Sequence, residues 1–114
     1  MLDPVELLKR NLEASIQAKH QFLADTECLS LFASAVETVV DRYKHGGHIY
    51  IAGNGGSAAD AQHLAAEFVS KLAQDRPPLA AEALTVDSSI LTAIGNDYGF
   101  DQVFSRQLAG KATD

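Results

Sequence analysis

Cysteine is nearly absent: Cys28 stands alone among 114 residues. A single thiol excludes an internal disulfide framework and points to a reducing compartment, the cytoplasm. Cys28 has no neighbouring thiol with which to bind zinc, so a buried place on a helix is expected for it. Basic runs are absent as well. The formal net charge is −6, and without a Lys/Arg cluster the chain offers no nucleic-acid surface. A phosphate ligand would have to be held locally, by main-chain N–H groups and hydroxyls. No apolar run approaches the roughly 20 residues of a membrane span, so no membrane partner is expected. The start, Met1–Glu6, shows neither the basic nor the apolar region of a signal peptide. There is no internal repeat and no low-complexity segment. What remains is ordinary for a globular protein: 46% hydrophobic residues, in a length that allows one domain at most.

The N-terminal third reads as helical. Asp3-Pro4 has the form of an N-cap with proline at the first helical position. Leu8, Leu12, Ile16 and Lys19 follow at helical spacing, with Phe22 and Leu23 beyond. A second helix is expected from Glu27 to Lys44, with Leu31, Ala35, Val39 and Tyr43 on one face and Gly46-Gly47 to end it. The first helix is long and has little chain to pack on. Packing against another subunit and folding back on its own domain explain it equally well.

A change of pattern follows. His48–Ala52 is a short apolar run expected as a strand, and Ser57 to about Leu72 as a helix. Arg76-Pro77-Pro78 belongs to a turn. Ala80–Val86 is expected as a second strand, apolar except for Glu82 and Thr85. Asp87-Ser88-Ser89 caps a short helix from Ile90 to about Gly95, Asn96–Phe100 forms a loop, and a last helix runs from Phe100 to Leu108. Alternating strand and helix implies a parallel sheet with crossover helices, whose ligands bind beyond the carboxyl ends of the strands. Both polar loops, Gly53–Ser57 and Asp87–Ser89, follow a strand and so share that edge. Two strands make a poor core where about five or six are usual. Lys111–Asp114 resembles a loop entering another strand, and the chain is expected to be the N-terminal portion of a longer protein.

The chemistry concentrates in Gly53-Asn54-Gly55-Gly56-Ser57 and the helix behind it. A strand, a glycine turn and a helix N-terminus make an anion site, because the first N–H groups point outward and the helix dipole adds positive charge. The turn is not a dinucleotide fingerprint, which would need glycine where Ala58 stands, and no Gly-Lys-Ser/Thr follows as in a P-loop. A plain capped turn, with Ser57 as N-cap and Asp60 completing a capping box, answers the same residues. His63 and Glu67 lie four apart, on one helix face. That spacing suits one metal ion, or an acid/base pair beside a bound phosphate, and it also arises by chance. His20 and His45 fall on solvated helix surface, and His48 at the far end of its strand. Asn96-Asp97 alone reads as a turn. Glu82 is odd in an apolar strand, and an edge or subunit contact explains it as well as chemistry does.

Taken together, Ala52–Phe68, Arg76-Pro77, Leu91–Phe100 and Val103–Leu108 resemble the phosphoheptose isomerase family of the sugar isomerase (SIS) superfamily, over nearly the whole chain. The resemblance implies an α/β fold: N-terminal helices (1–46, an oligomerisation region), then the βαβα start (47–114) of a parallel, flavodoxin-like SIS sheet that is cut short. It implies an isomerase converting sedoheptulose 7-phosphate to D-glycero-D-manno-heptose 7-phosphate through an enediol, for heptose and lipopolysaccharide synthesis. It further implies a cytoplasmic homotetramer with zinc, one ion per subunit. Asn54, Gly55, Gly56 and Ser57 would contact the sugar phosphate, as would Asn96 and Asp97. His63 and Glu67 would be metal ligands, with Glu67 also touching substrate as the catalytic base.

The family's phosphate loop and its remaining zinc ligands, a Gln and a His, would lie beyond Asp114. Weak or no activity is therefore expected of these 114 residues alone. A relative of the family binds the replication initiator DnaA and lacks the carboxylate at the position of Glu67. Such a binding protein, or a sensor of sugar phosphates, is the alternative, and Glu67 favours the enzyme.

Overall fold

A computed structural model describes Met1 and residues 3–113. Two units pack separately, Met1–Val40 and Asp41–Asp114, with the division falling inside the second helix.

In the first unit, α1 (Pro4–Ala24) begins as its sequence dictates: Asp3 caps it by accepting from the Val5 amide at 3.0 Å, and Pro4 holds the first position. Asp25 separates α1 from α2 (Thr26–Lys44) and serves both. Its N–H donates to the Phe22 carbonyl at 3.1 Å, ending α1, and its carboxylate accepts from the Cys28 amide at 3.0 Å, starting α2. The hydrogen bonds from the Cys28 amide and thiol hold the Asp25 carboxyl below its ordinary value, and the bond to that carboxylate pushes the Cys28 thiol up. Cys28 is half-buried rather than buried, because α2 buries none of its residues. Nor does α1 bury any, and Val5, Leu8, Leu12, Ile16 and Leu23 are exposed along it.

In the second unit, Gly46 and Gly47 end α2 as a Schellman motif. The Gly47 amide donates to the Arg42 carbonyl at 2.7 Å and the Gly46 amide to Tyr43 at 3.2 Å, with Gly46 at φ +80°. Next come β1 (Ile49–Ile51), α3 (Gly56–Val69), β2 (Ala81–Ala83), α4 (Ser88–Asp97), a 3₁₀ turn (Phe100–Gln102) and α5 (Ser105–Lys111). The strands pair in parallel, Ile49 with Ala81, Tyr50 with Glu82 and Ile51 with Ala83.

Side chains alternate across this ribbon, so its two faces meet different helices. Ile51, Ala81 and Ala83 pack with Ala61 and Ala65 of α3. On the other face, Tyr50 donates to the Lys111 carbonyl at 2.9 Å, and the Lys111 ammonium pairs with Glu82. Glu82 therefore faces the end of α5 and holds it. Gln107, buried in α5, donates to the Leu84 carbonyl at 2.9 Å and satisfies the backbone just past β2.

Several boundaries differ from the sequence reading. Each strand has only three residues, because a strand needs a paired neighbour as well as apolar composition. Ser57 is not the N-cap of α3: Gly55 is, and Ser57 lies inside the first turn. Asn96 and Asp97 are not in a loop but in the last turn of α4, which starts at Ser88 under an Asp87 cap bonded to the Ile90 amide at 2.9 Å. The last helix begins at Ser105 after the 3₁₀ turn, and it contains Gly110 and Lys111. Asp114 lies outside the described residues. Among those described, no helix is long and apolar enough to cross a membrane.

Candidate active site

The loop between β1 and α3 leaves the carboxyl end of the sheet, the edge at which parallel sheets bind ligands. Gly55, at φ +59° and ψ −121°, adopts a backbone conformation that side chains forbid. Gly53 is required for a different reason. A Cβ there would lie 2.6 Å from the Ser57 Cβ and 2.6 Å from its carbonyl oxygen. The amides of Ser57 and Ala58 turn back onto the carbonyls of Asn54 and Gly55 at 3.1 and 3.0 Å. The amides of Gly55 and Gly56, at the start of α3, are among those the loop can offer to an anion. A Cβ on Gly56 would meet nothing within 4 Å, so a ligand can approach the main chain there.

A cavity of about 260 Å³ opens beside this loop, lined by Gly53, Asn54, Gly55, Thr85, Leu91, Phe100 and Phe104 among others. Thr85 ties its two walls together by donating to the Ala58 carbonyl at 3.3 Å. Composition had marked Thr85 as a polar interruption at the end of an apolar strand, but nothing in the sequence assigned it or Phe104 to a cavity.

Along α3, His63 Nε2 and Glu67 Oε1 stand 2.8 Å apart. The His63 side chain is 77% exposed and the Glu67 side chain only 28%, so the pair joins an open imidazole to a half-buried acidic side chain. Glu67 sits about 15 Å along the helix from its first residues. One α3 thus carries the glycine turn at its start and, further on, the His63–Glu67 pair. Asn96 and Asp97 are exposed at the end of α4, where the Asn96 amide donates to the Asp97 carboxylate at 2.9 Å. The residues singled out in the sequence thus fall into three groups. Asn54 and Gly55 line the cavity. Ser57 is exposed on the first turn of α3, with His63 and Glu67 paired further along it. Asn96 and Asp97 close α4.

Imidazole nitrogen and carboxylate oxygen are both ordinary zinc donors, so His63 and Glu67 fit two positions of a zinc site. Among the described residues no third His, Cys, Asp or Glu joins them.

The sequence had not marked the role of Arg76. It reaches back from the loop after α3 and donates to the carbonyls of Glu67 at 2.7 Å and Phe68 at 2.9 Å. The signal available was a basic residue within reach of a helix C-terminus.

Compared with known proteins, residues 12–114 match the model of the SIS domain. The chain belongs to the SIS domain family. This SIS chain is 52% identical over 103 residues to the phosphoheptose isomerase of Aneurinibacillus thermoaerophilus, a match covering 90% of the chain and 52% of that protein. It is likewise 52% identical over 101 residues to phosphoheptose isomerase 2 of Campylobacter jejuni, covering 89% of the chain and 50% of the relative. A solved phosphoheptose isomerase from Francisella tularensis superposes with a TM-score of 0.90 at 34% identity, over 99% of this chain and 58% of that one. That from Neisseria gonorrhoeae gives 0.84 at 42% identity, over 96% and 55%. The chain spans about half the length of the curated relatives it matches.

Proposed function

We propose that this protein is a phosphoheptose isomerase, converting sedoheptulose 7-phosphate to D-glycero-D-manno-heptose 7-phosphate for heptose and lipopolysaccharide synthesis in the cytoplasm. The observation that carries the reading is the half-buried Glu67 side chain, its carboxylate 2.8 Å from His63, on the helix that opens with the glycine loop. Relatives named for that activity, about half identical over most of the chain, support it.

The reaction moves a hydrogen between adjacent carbons. Glu67 takes a proton from C1 of the ketose, negative charge develops on the C2 oxygen, and the enediol forms. The proton then returns to C2 while the hydroxyl proton passes from the oxygen on C1, which becomes the carbonyl, to the oxygen on C2. A base near the carbon and a group that stabilises the oxyanion are the chemical requirements. His63 orients the carboxylate. The Gly55 and Gly56 amides, Asn54 and the Ser57 hydroxyl hold polar groups of the substrate, and Asn96 and Asp97 hold sugar hydroxyls. His63 and Glu67 would supply two ligands to one zinc ion per subunit, which when bound would polarise the substrate carbonyl. The exposed apolar positions of α1 suit burial between subunits of a homotetramer.

The test is turnover of sedoheptulose 7-phosphate in deuterated water by the protein as its gene encodes it, followed by NMR. Glu67→Gln is expected to lower kcat by about 10²–10⁴-fold while the protein stays folded. Near-normal turnover by that variant would remove Glu67 from the role of base. No turnover and no deuterium exchange by the wild type, even with added zinc, would leave a binding or sensing protein.

A further inference from the structure

We propose that Arg76 is a positioning residue for Glu67: its guanidinium grips the main chain of the helical turn from which the catalytic carboxylate projects. The inference rests on Glu67 being the base. α3 ends at Val69, and its last intrahelical bond runs from the Ser70 amide to the Ala66 carbonyl at 2.8 Å. The carbonyls of Glu67 and Phe68 therefore point past the end of the helix with no amide of the next turn to meet them.

Arg76 meets both. Nη2 donates to the Glu67 carbonyl at 2.7 Å and Nη1 to the Phe68 carbonyl at 2.9 Å. One planar fork across two successive carbonyls fixes the rotation of the turn as well as its place, which a point charge on a flexible stem would not do.

The same turn is pinned from other sides. The Phe68 carbonyl also accepts from the Leu79 amide at 3.1 Å, and the Phe68 ring stacks on Tyr43 at 6.0 Å. The Tyr43 hydroxyl donates to the Ala80 carbonyl at 2.9 Å. Burial pushes its phenol above the ordinary value, against the pull of the Arg76 guanidinium, so it stays a neutral donor.

Arg76 is not spent on charge pairing. Among the described residues its hydrogen bonds go to the carbonyls of Glu67, Phe68 and Pro77, and no carboxylate forms an ion pair with it. An arginine with three of its five donors taken by main chain at a helix C-terminus orients that helix end.

The experiment compares wild type, Arg76→Lys, Arg76→Gln, Glu67→Gln and the double variant Glu67→Gln/Arg76→Lys in the protein as its gene encodes it. Arg76→Lys keeps the charge at the helix end and loses the fork, so it tests the proposal even if Arg76→Gln fails to fold. Misplacing a catalytic group by about 1 Å can cost about 10²-fold. Arg76→Lys is therefore expected to lower kcat by about 10–100-fold with KM changed by less than about threefold. In the Glu67→Gln background the same substitution should cost nothing further, because Arg76 acts through that carboxylate. Wild-type kcat in Arg76→Lys, or an equal loss in both backgrounds, would overturn the proposal and leave Glu67 as the base. Near-normal turnover by Glu67→Gln would overturn the base assignment, and the positioning role with it.

Discussion

Neighbouring glycines in one loop answer to different constraints. Gly55 is fixed by its backbone angles and Gly53 by the approach of Ser57, whereas nothing in the protein occupies the space a side chain at Gly56 would fill. Gly56→Ala is accordingly expected to leave the melting temperature unchanged or raise it, yet to raise KM for the sugar phosphate about tenfold or more, a loss of about 1.4 kcal/mol of binding. Gly53→Ala should instead destabilise the fold by about 1–3 kcal/mol through overpacking. Thermal melts beside steady-state kinetics separate the two, and an unchanged KM in Gly56→Ala would mean that no ligand group approaches that amide. The sequence made the loop legible as a glycine turn between a strand and a helix, since the residue types and their order carry that geometry. It did not say which glycine served which purpose, because Gly53 is constrained by a contact with a residue four positions on.

Caps were the most legible elements. Asp3, Asp87 and Gly46-Gly47 stand where the sequence put them, since capping is a local bargain between a side chain or a turn and the nearest free backbone groups. Asp25 escaped notice because its role depends on two helices meeting at one residue. Its carboxyl sits below the ordinary value of 3.8. A lowered folded-state pKa gives stability that is whole above 3.8 and lost as pH falls through the lowered value. The stability gap between wild type and Asp25→Ala, read by urea unfolding, should be constant from neutral pH down to about 5 and then close as acid protonates the cap. A gap that persisted at pH 2 would show that the carboxylate charge does not matter. Asn96 and Asp97 were misread as a loop because both residue types favour turns, while the packing of α4 through buried Ile94 carries the helix past them.

At the scale of the molecule, a parallel pair of strands with α3 on one face and the end of α5 on the other is the architecture that alternating strand and helix signals imply. Glu82 was the one residue that argued against a buried strand, and its partner Lys111, 29 positions away, could not be found from periodicity. Arg76 was hidden for a similar reason: its partners are carbonyls, which every residue has. Leu84, 2% exposed, is the largest fully enclosed side chain among the described residues. Leu84→Ala should cost about 2–5 kcal/mol in chemical unfolding, against well under 1 kcal/mol for an exposed leucine such as Leu72. Similar costs at the two positions would mean that the sheet does not form the core.

The seam between α3 and the sheet is made of methyl groups, with Ala61 and Ala65 set against Ala83. Such a seam is asymmetric toward evolutionary drift. A lineage can trade these alanines for glycine or serine at modest cost, but any larger residue lifts the helix from the sheet and carries His63 and Glu67 away with it. The most weakly hydrophobic part of the interior is therefore the part least free to vary in size, and it sets how closely the helix that carries His63 and Glu67 lies against the sheet.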